Sequence, residues 1–243
     1  MPPFFTRCLV LLLVFAARGV AASPRPLAAE QQHANELRST ILAAAGPADA
    51  AGQKLAVDHS SLGVNLADYA NNPGSDPAQF ESSVEAARRI LVGGTTTKRS
   101  PDATSHWLDA TTDQLLASVR AAEIAPAAVR DAAQADALVD LRARALLGRY
   151  HARRMLAAVH YNLFKRGQRL AELVAATYGE RDAVVVWREL VATCGSHPLA
   201  PLWRAELKKL EWSLKELEDQ CCPPDEATLK EKVWQPATRL VAQ

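Results

Sequence analysis

Between Ala132 and Lys165, the residues Leu138, Leu141, Ala145, Gly148, Ala152, Met155, Val159 and Leu163 recur at steps of three and four. That spacing places them on one face of a long amphipathic α-helix. An apolar seam of this length has to be covered along its whole course, so the remaining chain must supply helices to pack on it. The small residues Ala145, Gly148 and Ala152 at the middle of the seam allow one of those helices to approach closely.

The rest of the sequence meets that demand. Runs of alternating β-branched residues are nearly absent, alanine is abundant, and Pro and Gly fall between helical stretches. A first helix is expected over Ala28–Ala45, with Leu37, Ile41, Leu42 and Ala45 on one face and Gly46-Pro47 ending it. One or two short helices are expected around Leu55, Leu62, Leu66 and Tyr69. Asp76 and Pro77 read as the N-cap and first residue of a helix that Gly93-Gly94 stops. Ser100-Pro101-Asp102 opens another, to about Glu123.

After the long helix, a stretch from Gln168 to Thr193, bent at Gly179, turns Leu173, Ala176, Val184, Trp187 and Val191 inward. The next, from Ala200 to Gln220, repeats Trp203, Leu207, Leu210, Leu214 and Leu217. A short helix from Asp225 to Val233 follows. The expected fold class is therefore all-α: a bundle of long antiparallel helices with a less regular helical N-terminal half. The expected division is a signal peptide over 1–22, an N-terminal helical region over 23–99 and a helical bundle over 100–243.

The N-terminus reads as a secretion signal. Arg7 precedes the apolar run Cys8 to Ala17, and Val20-Ala21-Ala22 offers small residues before Ser23, with cleavage expected after Ala22. The run is short of the roughly 20 apolar residues that span a bilayer, and Arg18 interrupts it. The expected destination is periplasmic or extracellular, with no transmembrane helix once the signal is removed. Losing Arg7 and Arg18 turns the formal net charge from +1 to minus one. Such a balance gives no argument for nucleic acid as a partner. Three cysteines then remain, Cys194, Cys221 and Cys222. In an oxidising compartment a disulfide from Cys194 to Cys221 or Cys222 is expected.

Leu147-Gly148-Arg149-Tyr150-His151-Ala152 in the long helix, Trp187 in the next and Leu202-Trp203 at the start of the third carry a resemblance. Over roughly Asp136 to Asp219, the chain resembles the helical C-terminal accessory domain of large exported bacterial proteins of carbohydrate processing. The resemblance implies an accessory bundle and carries no catalytic residue across.

Motifs that would announce an enzyme or a cofactor are missing. The sequence has no Gly-x-Ser-x-Gly, no His-Glu-x-x-His, no Cys-x-x-Cys-His and no phosphate-binding glycine loop. No cofactor is expected, and the balance favours a non-catalytic role. Cys194, His197, Cys221 and Cys222 count to four metal ligands, but adjacent cysteines suit one tetrahedral centre poorly, and no metal site is expected.

The strongest binding candidate is a stripe of Tyr150, Arg154, Tyr161 and Lys165, which share one face of the long helix. Aromatic rings can stack on a sugar while the cations pair with its carboxylate or sulfate. The same region admits a plainer reading. Arg142, Arg144, Arg149 and His151 flank the seam, where basic stems cover apolar surface and the heads meet acids of neighbouring helices. The tryptophans Trp187, Trp203 and Trp212 are expected to pack. The sequence thus points to a non-catalytic bundle that binds or scaffolds an unknown protein partner, or to an accessory module that binds an anionic glycan.

Overall fold

The computed structural model describes residues 27–46, 65–124 and 131–221. The expected signal peptide, Cys222 and the expected helix after Asp225 lie outside the described residues. Among the described residues seven helices follow one another: α1 Ala28–Ala45, α2 Leu66–Ala70, α3 Ser83–Val92, α4 Pro101–Ile124, α5 Ala132–Gly167, α6 Leu170–Thr193 and α7 Ala200–Cys221. The protein is all-α, with no strand among the described residues. A single bridge joins Phe80 to Arg99. No described helix is long and apolar enough to cross a membrane.

Local chemistry accounts for the ends of these helices. Asp131 accepts from the Gln134 amide and starts α5. The chain then reverses at Gln168, whose left-handed backbone (φ 52°) lets its amide cap the Phe164 carbonyl. Two residues later α6 begins, so it runs back along α5. The helix expected to start at Asp76 starts instead at Ser82, which forms a reciprocal capping box with Glu85. Asp76 caps only a turn, through the Gln79 amide. The pull of the Ser82–Glu85 pair outweighs that of Asp76-Pro77, because two orphan donors are satisfied rather than one.

Helix α5 is the axis of the molecule, and α1, α2, α3, α4 and α6 all pack on it. One core cluster joins Leu37 and Ile41 of α1 to Leu141 of α5, Trp187 of α6 and Leu210 of α7. Residues from both sides of the expected division at 99/100 therefore share this core. The small-residue seam permits the contact. A Cβ on Gly148 would lie 2.8 Å from Thr112 Oγ1 and 3.1 Å from Leu37 Cδ2. Alongside it, Thr112 and Ser105 of α4 donate to the Ala145 and Ala152 carbonyls of α5. Helix α6 is continuous through Gly179. That glycine marks a second close approach, since a Cβ there would lie 2.9 Å from the Ala157 Cβ.

Trp187 and Trp203 are buried, and the Trp187 indole donates to the Trp203 carbonyl at 3.0 Å. Trp212 departs from the packing expected of it: it is 65 % exposed on the outside of α7.

Candidate functional site

Two of the four residues in the expected binding stripe are inside the protein. Tyr150 is 1 % exposed and Arg154 is not exposed at all. The stripe as a whole therefore is not a surface. Its upper half faces α2 and α6, because a helix covered by five others has little free circumference. Arg154 Nη2 lies 2.9 Å from Glu180 Oε1 of α6. The Arg154 guanidinium also stands over the Tyr69 ring of α2 at 5.0 Å and the Tyr150 ring at 5.5 Å. Tyr69 Oη lies 3.3 Å from His151 Nδ1, and Tyr150 meets Trp187 edge-on at 4.7 Å.

Burial and charge together set the protonation of this centre. Burial works against the Arg154 charge, but Glu180 beside it outweighs burial and holds the guanidinium pKa above its ordinary value. Burial also raises the pKa of both tyrosines. His151 is pushed down to about 3, first by burial and then by the Arg154 charge, so it is neutral at ordinary pH. Tyr150 Oη and His151 Nε2 are buried with no hydrogen-bond partner. The centre ties α2, α5 and α6 together at one point.

Sequence reasoning missed Glu180 and Tyr69. A signal for Glu180 existed, since it falls between Ala176 and Val184 on the inward stripe of α6. An acid on an apolar stripe calls for a buried cation.

Four other arginines of α5 follow the plainer reading. Arg153 pairs with Asp109 at 2.9 Å and Arg144 with Asp140 at 3.0 Å. Arg149 pairs with Asp113, and Arg142 with Glu123. Most of these acids belong to α4. Two acids of α7 meet α6 instead: Glu211 and Glu218 pair with Arg188 and Arg181.

The lower half of the stripe does reach the surface. Lys165 is exposed, and Tyr161 is half-buried, its ring packed against the core. Tyr161 opens into a cleft of about 200 Å³ between α2, α5 and α7. Asn65, Asp68, Ser213, Glu216 and Gln220 complete its polar lining. A second groove, of about 260 Å³, lies between α3, α4 and α5. It is mainly apolar, with Ile90, Leu156, Val159 and Leu163 along it and His160, which is paired with Glu172, at its edge.

Cys194 and Cys221 are not brought together. Cys194 ends α6 with its thiol 3.9 Å from the Val139 carbonyl. Cys221 ends α7, facing Val174 and Thr177 near the start of α6. The length of α7, roughly 30 Å at about 1.5 Å per residue, separates them. A disulfide needs Cα atoms within about 7 Å, and none joins Cys194 to Cys221. The same separation parts Cys194 and His197 from Cys221 as metal ligands, and no group of three metal-binding side chains occurs among the described residues.

Compared with known proteins, the chain matches no family model, no curated protein and no solved structure.

Proposed function

We propose that this is an exported, non-catalytic helical bundle that acts by binding, as a ligand-holding or scaffolding module. The observation that supports this reading most is the division of labour along α5. Its buried half locks Arg154 to Glu180, while its outer half presents Tyr161 at a polar cleft. A rigid core beneath a pre-formed opening favours binding with little reorganisation.

Of the two openings, the cleft at Tyr161 suits a carbohydrate better than the apolar groove does. It combines an aromatic ring with amide, hydroxyl and carboxylate groups, the mix that recognises sugar faces and hydroxyls. This favours the accessory-module reading drawn from the resemblance over Asp136 to Asp219. An anionic glycan is the less favoured ligand, since Tyr150 and Arg154 are withdrawn into the core.

A glycan array at low and high salt, with each bound glycan recovered for mass spectrometry, tests the reading. Retention of intact glycans is the expected outcome, and turnover would overturn it. The N-terminus of the exported protein should read from Ser23. An N-terminus at Met1 would overturn export by cleavage.

A further inference from the structure

The cleft between α2, α5 and α7 contains two carboxylates, Asp68 and Glu216, and no cation among its described lining residues. Several acids elsewhere on the surface are paired. Glu211, Glu218, Asp219, Asp109, Asp113, Asp140 and Glu123 each meet an arginine or lysine. The carboxylates stand on different helices and converge only through the tertiary fold. Tyr161 supplies a flat ring that the core holds in place. Asn65 keeps its amide nitrogen available, because its oxygen already caps the Asp68 amide at 2.8 Å. Ser213, 7 % exposed, and Gln220 add a hydroxyl and an amide.

We infer that this cleft binds a saccharide carrying free amino groups, one ring at a time. The inference rests on the binding reading above and names its ligand. An ammonium group would donate charge-assisted hydrogen bonds to Asp68 and Glu216. The Tyr161 face would lie on the C–H face of the ring, adding a cation–π contribution from the same ammonium. The amides and Ser213 would take the hydroxyls. At about 200 Å³ the cleft is smaller than drug-sized pockets of about 300–1,000 Å³, which suits a single ring of an oligosaccharide. A uronic acid would meet two carboxylates of its own sign.

Titration of the purified protein with four probes, followed by calorimetry and by mass spectrometry of the probe, tests this. The probes are a glucosamine trimer, an N-acetylglucosamine trimer, a galacturonic acid trimer and spermidine. The glucosamine trimer binds, and the other three bind about tenfold or more weakly. In the exposed double variant Asp68→Asn, Glu216→Gln, affinity for it falls about tenfold or more while the circular dichroism is unchanged. Tyr161→Ala also weakens it.

Equal binding of the acetylated trimer would overturn the role of the amine, and equal binding of spermidine the role of the ring. Unchanged affinity in the double variant, or no binding by any probe, would overturn the site while leaving the general binding reading in place. Cleavage of a bound trimer would instead overturn the non-catalytic reading and leave the ligand class standing.

Discussion

Arg154 Nε lies 3.1 and 3.0 Å from the two carboxylate oxygens of Glu180, with the pair almost wholly out of solvent. Both charges have been taken out of water, which costs several kcal/mol per ion before their attraction offsets it. The pair is thus a constraint on how α5 and α6 meet more than a source of net stability. Glu180→Gln takes the Glu180 carboxylate away from the buried guanidinium. The expected loss is about 3–5 kcal/mol in urea unfolding. The double variant Arg154→Met, Glu180→Leu should recover much of it, and equal losses in single and double variants would contradict this account.

His151 makes stability depend on pH. Its pKa is about 3 in the folded chain against 6.5 for the ordinary side chain. Between those values the unfolded chain binds the proton and the folded chain does not. Stability therefore rises with pH through this window and is complete above it. The slope from this group is at most about 1.4 kcal/mol per pH unit. Urea midpoints of the protein and of His151→Gln, measured from pH 7 down to pH 4, should diverge at pH 7 and converge as the pH falls. A constant difference would remove His151 from the explanation.

Gly179→Ala should destabilise, although alanine is the better helix former by about 1 kcal/mol. The new methyl would lie 2.9 Å from the Ala157 Cβ and 3.3 Å from its Cα. Backbone cannot give way there as a side-chain tip would, and overpacking of this kind costs about 1–3 kcal/mol. Gly195→Ala is the control, since nothing lies within 4 Å of the added carbon. Thermal melts of the two variants should separate, with Gly179→Ala the lower.

Cys194 should react with alkylating reagents only when the protein unfolds. It is buried, and burial raises its thiol pKa, which lowers the reactive thiolate fraction. Unreduced peptide maps should contain no Cys194–Cys221 link. Finding one would mean that α6 and α7 do not lie as described.

The sequence by itself determined the helices and the apolar face of most of them. Their signals are local: spacing of three and four, and capping residues within one turn of each helix end. Ala28–Ala45 begins and ends where the periodicity and Gly46 require. Where two local signals competed, as at Asp76 and Ser82, the Ser82-x-x-Glu85 box, itself legible in the sequence, made the stronger cap.

What only the tertiary structure decided is which part of a helix face is inside. Tyr150, Arg154, Tyr161 and Lys165 share one stripe of α5, and periodicity treats them alike. The arrival of α2 and α6 buries the first two against Tyr69 and Glu180 and leaves Tyr161 at a cleft with Asp68 and Glu216. Those partners are distant in the chain, so their meeting is a property of how helices pack around α5. Cys194 and Cys221 show the same limit: both end helices, and the length of α7 holds them apart.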